Sequence, residues 1–225
     1  MRLGLLQCGP TAEALDPRHG SYDRLYGEML AGHGFSWRTW RVYDGDFPDG
    51  PHAAQGWLVS GSRFGAYEGH EWIAPLEALI RDIAASGRPL VGICFGHQIV
   101  AQALGGRVEK FSGGWSIGRR RYEWDGTAMY LNAWHQDQVI DPPPGARTIL
   151  SSPFCAHAGL AIGDRILTIQ PHPEFRHAYI EDLIPVAGIG TVPDALIEEA
   201  RSGLGQPLDI DMAADRIARV LKSAS

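Results

Sequence analysis

The segment Pro89-Leu90-Val91-Gly92-Ile93-Cys94-Phe95-Gly96-His97-Gln98 constrains this chain more than any other. Apolar, strand-like sequence runs straight into Cys94, and a helical pattern, Gln98 to Leu104, follows at once. Glycine stands two places before the cysteine and two places after it. A strand that becomes a helix within a residue or two leaves no room for Cβ atoms beside the turn, so its neighbours must be small. The turn holds the cysteine in a strained conformation and lifts its sulfur off the sheet. There the sulfur meets a helix N-terminus, whose free N–H groups and dipole favour a thiolate. The pattern predicts a nucleophile elbow with cysteine as the nucleophile. It also demands a strand and a helix in adjacent layers.

A nucleophile needs a base, and the base needs a group that orients it. Gln170-Pro171-His172-Pro173-Glu174 offers such a pair, directly after the apolar run Arg165 to Ile169. His172 and Glu174 are two apart, so in extended backbone they project to the same side. The flanking prolines disfavour helix there. Glu174 is expected to hold one ring nitrogen of His172 while the other faces the Cys94 sulfur.

Gly-Ile-Cys-Phe-Gly-His-Gln together with Pro-His-Pro-Glu resembles the class I (triad) glutamine amidotransferase family. Val59-Ser60-Gly61-Ser62-Arg63 resembles the loop with which that family completes its oxyanion hole. Gly114-Trp115-Ser116-Ile117-Gly118 and Trp134-His135-Gln136-Asp137-Gln138-Val139 fall in order where the family keeps glutamine-binding segments. The similarity spans roughly residues 1 to 185. Within the family it is nearest to the stand-alone, GMP synthase-like proteins that include the plant γ-glutamyl peptidases, which share Ser-Gly-Ser-Arg and Gly-Ile-Cys-Phe-Gly-His-Gln. The motif set is specific for reaction type and much less so for substrate.

The resemblance implies a catalytic triad of Cys94, His172 and Glu174. It implies an oxyanion hole from the backbone of Phe95 and of the Gly61-Ser62 loop. Here the chain departs from the family's commonest Ser-Gly-Gly-Pro, with Ser62 and Arg63 in the last two places; if Ser62 had to adopt φ > 0, a serine would be strained there. By the same resemblance Gln98, Trp115, Ser116 and Asp137 are substrate-binding residues. Asp137 would suit an ammonium group. Arg63, Phe64, Tyr67 and His70 follow the oxyanion loop and are expected at the pocket mouth, where substrate choice would be made.

At 225 residues the chain suits one α/β domain with a full core, residues 1–225. Its net charge of −6 argues against nucleic acid as the main partner, because phosphate binding needs clustered Lys and Arg. The one basic run, Arg119-Arg120-Arg121, reads as a solvated strand or hairpin. Three cysteines do not make a disulfide framework, and a cysteine nucleophile must stay reduced, which implies the cytoplasm. The apolar N-terminus is too short for a signal segment or a membrane span and reads as a core strand. No HExxH or CxxC occurs, so no metal and no cofactor are expected.

Strands are predicted over 3–8, 37–42, 56–59 and 89–93, with helices over 22–31 and 72–85 and a loop over 16–21. The 72–85 helix rests on Trp72, Ile73, Leu76, Leu79, Ile80 and Ile83 at helical spacing. Strands alternating with helices predict an open, mostly parallel sheet flanked by helices, the flavodoxin-like fold of the family, with the elbow at the carboxyl edge of a central strand. Beyond Gly105-Gly106, short strands over 107–110, 118–124, 128–133, 147–152, 157–162 and 165–169 predict a mostly antiparallel extension. Helices are expected over 175–184, 193–201 and 211–222, with Asp209 or Asp211 capping the last.

The chemistry so implied is hydrolysis of the side-chain amide of glutamine or a γ-glutamyl compound through a γ-glutamyl thioester. No Walker-type phosphate loop is present, and too few residues follow the triad for an ATP-binding acceptor domain. Two enzymatic readings remain open: a free-standing γ-glutamyl hydrolase, and a glutaminase subunit that hands ammonia to a separate synthase partner. A third reading is a non-catalytic binding or redox-responsive protein with an oxidisable cysteine.

Overall fold

The structure is a computed structural model and describes residues 1–224. In chain order its strands are β1 (Arg2–Gln7), β2 (Ser36–Arg41), β3 (Gly56–Val59), β4 (Leu90–Ile93), β5 (Arg107–Lys110), β6 (Ser116–Trp124), β7 (Thr127–His135), β8 (Asp137–Asp141), β9 (Ala146–Ser151), β10 (Gly159–Ile162) and β11 (Ile166–Ile169). Its α-helices are α1 (Asp16–His19), α2 (Tyr22–Met29), α3 (Ile73–Ala85), α4 (Phe95–Ala103), α5 (His177–Leu183), α6 (Asp194–Ser202) and α7 (Ile210–Leu221). One nine-stranded sheet runs β2-β1-β3-β4-β11-β10-β9-β6-β7. The first five strands in that order are parallel. The remaining pairings are antiparallel.

The parallel half carries helices on both faces, as its fully buried strands β3, β4 and β11 require. One core packs α3 and α4 against it through Leu76, Ile80, Ile83, Ile99 and Val100. The other packs α2 and α7 on the opposite face through Leu25, Tyr26, Ile217 and Leu221. Helix α3 buries the stripe Ile73, Leu76, Leu79, Ile80, Ile83 that its spacing predicts.

β4 lies between β3 and β11, with Ile93 in register with Ile169. The elbow therefore leaves a central strand, and the chain that leaves β11 emerges at the same edge, beside it.

The predicted architecture holds, with local corrections. Residues 16–19, expected in a loop, form the short helix α1, opened by Asp16 with Pro17 in the first turn. β8 was not expected, and it draws β5 out of the antiparallel extension into a separate two-stranded sheet. The helix expected from residue 175 begins at His177 and runs on as a π-helical turn, Ile184–Gly188. The final helix starts at Ile210, with Asp211 inside it. Asp209 occupies the cap position, but its carboxylate accepts from Tyr130 N–H on β7 at 2.7 Å instead of from the helix. Among the described residues no helix is long and apolar enough to cross a membrane.

Candidate active site

Cys94 has φ 54° and ψ −105° at the N-terminus of α4. A non-glycine residue in this region is strained, and the surroundings enforce the strain. A Cβ on Gly92 would sit 2.4 Å from Gly96 O, and one on Gly96 2.2 Å from Val59 O. Both glycines are thus dictated by close backbone approach. Cys94 N–H donates to Ile169 O at 2.9 Å, tying the elbow's backbone to β11. The Phe95 N–H, at the first helical position, has no intrahelical acceptor.

β11 delivers Gln170, His172 and Glu174 to the same edge. His172 Nδ1 lies 2.7 Å from Glu174 Oε1, both side chains buried. Nε2 is left to face the sulfur. Burial works to lower the His172 pKa, but the Cys94 and Glu174 charges and hydrogen bonds outweigh it and raise it well above the ordinary histidine range. The ring is stacked on Phe175 at 4.0 Å and 5°. The turn is pinned from β7: His172 N–H donates to Asn132 O at 2.8 Å, and Asn132 Nδ2 donates to Phe175 O at 2.8 Å.

Gln170 donates through Nε2 to Cys94 Sγ at 3.5 Å. Its Oε1 accepts from Gln98 Nε2 at 3.1 Å, and the same Gln98 nitrogen donates to Asp137 O at 2.9 Å. Gln98 thus lies in the cavity wall with its amide nitrogen held by protein acceptors. The sequence signal for Gln170 is its spacing two residues before His172 on the same extended segment.

Beyond the His172–Glu174 pair, the buried Tyr26 hydroxyl donates to Glu174 Oε1 at 3.1 Å and accepts from Gly61 N–H at 3.2 Å. Gly61 packs tightly here: a Cβ on it would be 3.0 Å from His172 Cε1. Among the described residues only Cys94 and Asp125 are non-glycines with positive φ, so Ser62 bears no such strain. Its hydroxyl donates to Cys8 O at 2.8 Å and accepts from Phe64 N–H at 3.2 Å. The serine at this place therefore braces its own loop. Neither Tyr26 nor Asn132 was singled out by sequence; both reach the site from elements whose local pattern reads only as helix or strand.

These groups open on a cavity of about 740 Å³ lined by Cys94, His172, Gln98, Trp115 and Asp137 among others. Ser116 lies beside it, buried in β6, and is not among the lining residues. Asp137 is half-buried and accepts from Tyr67 Oη at 3.1 Å. Burial raises its pKa, and the Tyr67 hydrogen bond partly offsets that. Arg63, Phe64 and Tyr67 line the cavity; His70 instead stacks on Trp72, outside it. Burial lowers the pKa of His135, in the cavity wall, and of His97, beneath it, to about 3, and His97 Nδ1 is 2.8 Å from Thr168 Oγ1.

The chain is similar along most of its length to gamma-glutamyl peptidase 2 of Arabidopsis thaliana, with 28% identity over 90% of this chain and 88% of the relative. It is 36% identical to the GMP synthase [glutamine-hydrolyzing] of Thermus thermophilus over 51% of this chain, but only 26% of that longer protein. A glutamine amido transferase from Methylobacillus flagellatus superposes with a TM-score of 0.77 at 25% identity, covering 99% of this chain and 93% of the other. The family model for glutamine amidotransferase class-I matches residues 53–184, a span running from just before β3 through the elbow and the His172–Glu174 turn. With more than half of the sequence under that match, this chain belongs to the class-I glutamine amidotransferase family.

Proposed function

We propose that the protein hydrolyses the side-chain amide of a γ-glutamyl compound, with Cys94 as nucleophile, His172 as general base and acid, and Glu174 as the group that orients His172. The observation that carries this is the buried His172 Nδ1–Glu174 Oε1 contact of 2.7 Å beside an elbow cysteine held at φ 54°. The Cys94 thiolate adds to the amide carbon, and the negative charge that develops on oxygen is met by the Phe95 and Ser62 backbone N–H groups. Gly61 N–H is engaged by Tyr26 and plays no part in that role. The tetrahedral adduct collapses as the C–N bond breaks; the nitrogen keeps the electron pair and takes a proton from His172. Water, deprotonated by His172, then attacks the thioester and releases glutamate and the Cys94 thiol. Gln170 donates to Cys94 Sγ and holds the sulfur in place for attack.

The similarity to gamma-glutamyl peptidases over nearly the whole chain favours a free-standing hydrolase. A second reading, an ammonia-producing subunit for a separate synthase, draws on the likeness to the GMP synthase segment. The test is glutamate release by the purified protein from L-glutamine and γ-glutamyl amides, with Cys94→Ala as control. Cys94-dependent turnover by the protein alone is expected. A protein inert alone, yet alkylated at Cys94 by a glutamine-like chloroketone, would overturn the stand-alone reading in favour of the subunit. Alkylation of Cys94 that a γ-glutamyl ligand does not slow would sink both and leave a redox-responsive cysteine.

A further inference from the structure

The cavity around Cys94 is lined by two unlike sets of side chains. The charged lining side chains Arg63, Glu68, Lys110 and Asp137 come from the loop after β3, from β5 and from β8. That set carries both signs and matches the ammonium and carboxylate of a glutamyl group. A second part of the lining is built by the segment that follows the triad: Phe175, then Tyr179 and Leu183 one turn apart on α5, then Val186 and Ala187 in the π-helical turn, with Trp134 beside them. None of these six carries a charge. The wall is a continuous surface. Phe175 stacks on Tyr179 at 4.0 Å, and a Cβ on Gly188 would meet Trp134 Cη2 at 3.3 Å, so the π-helical turn rests on the indole.

This wall begins at His172. The imidazole lies 4.0 Å from the Phe175 ring and nearly parallel to it. The group that protonates the departing nitrogen is thus the first member of the apolar surface, and whatever that nitrogen carries must start there. The cavity, about 740 Å³, falls in the range that encloses a drug-sized ligand and exceeds what free glutamine fills. Val186, at 47% exposure, leaves a large apolar side chain open at the far end of the wall.

We propose that this enzyme acts on γ-glutamyl amides whose leaving amine bears a bulky apolar or aromatic substituent, bound along Phe175, Tyr179, Leu183 and Val186. The proposal rests on the hydrolase reading given above. It makes the segment after the triad the determinant of leaving-group choice. Cleavage is balanced as before: the C–N bond breaks, the amine departs with its electron pair and the His172 proton, and water supplies the oxygen and hydrogen that regenerate acid and thiol. The apolar contact is made in the acylation step alone, because the amine has gone before the thioester is hydrolysed.

The experiment compares kcat/KM of the purified protein for L-glutamine, γ-L-glutamyl methylamide and γ-L-glutamyl benzylamide, with Cys94→Ala as blank and Val186→Asp as variant. The benzylamide is expected to exceed the methylamide by about tenfold or more, the scale that burying an aromatic ring gives. In Val186→Asp that ratio is expected to fall by about fivefold or more. Equal kcat/KM for the two amides, within about twofold, overturns the proposal while leaving the hydrolase reading intact, and assigns the wall to something other than the leaving group. A wild-type preference unaltered in Val186→Asp also overturns the assignment. Absence of Cys94-dependent release from all three compounds sinks the hydrolase reading itself.

Discussion

Tyr26 shows how much one hydroxyl can organise. It donates to the carboxylate oxygen that holds His172 and accepts from the Gly61 N–H of the loop opposite the elbow, all in a buried setting. Removing it leaves Gly61 N–H without an acceptor and frees Glu174 to turn, while the ring stacked on Tyr22 still fills its space. Tyr26→Phe is therefore expected to lower kcat about tenfold with little change in KM, because positioning of the proposed base, His172, is lost and substrate contacts are not. A destabilisation of about 1–2 kcal/mol should accompany it in urea unfolding. The same substitution in a Glu174→Gln background should cost far less activity, since residues that act through one another are not additive. Equal losses in both backgrounds would separate Tyr26 from the carboxylate. Nothing in the local sequence of α2 announces this role. Tyr26 is one more apolar position in a helical stripe until the fold brings Glu174, distant in sequence, within hydrogen-bond reach.

At the scale of elements, the elbow is a joint between β4 and α4 whose tolerances are set by backbone. Gly96 faces Val59 O so closely that any side chain must push β3 and α4 apart. Gly96→Ala is expected to destabilise the protein by about 3 kcal/mol and to abolish turnover, read by thermal unfolding and a glutamate assay. Retained activity in that variant would show that the joint can open. Other element boundaries follow less local rules. Asp209 has the identity and position of a helix cap, yet its carboxylate and its N–H both bond to Tyr130, so α7 is anchored to the edge strand β7 rather than capped. β8 escaped the sequence reading because Asp137 to Asp141 pairs with β5, and a strand whose partner is remote carries little signal of its own.

The whole molecule places its chemistry over a buried polar layer. His97 is fully buried beneath the elbow and His135 is buried in the cavity wall, and burial pushes both pKa values down to about 3, far below the ordinary 6.5. A group whose folded pKa is depressed favours the folded state above its unfolded pKa, and that contribution is lost as pH falls toward the folded value. Stability should therefore decline from about pH 6.5 toward pH 3, by up to about 1.4 kcal/mol per pH unit for each histidine. The midpoint of urea unfolding, followed against pH, should show this, and His97→Gln should flatten the slope. A wild-type curve level across that window would mean that the two rings take up protons while folded.

What the sequence alone determined is the set of features enforced locally. The glycines around Cys94 follow from a turn with no space for Cβ atoms, the alternation of apolar strands with amphipathic helices specifies a covered parallel sheet, and His172 and Glu174 are legible because two-residue spacing puts them on one side. What only the tertiary structure decided are contacts between segments far apart in the chain. β11 lies beside β4, so the elbow and the histidine share an edge. Asn132 reaches the turn after His172 from the sheet's far strand, and Tyr26 joins two loops from a helix. The physical reason is that backbone sterics and periodicity act over a few residues, whereas the partner of a buried polar group is chosen by packing across the whole fold.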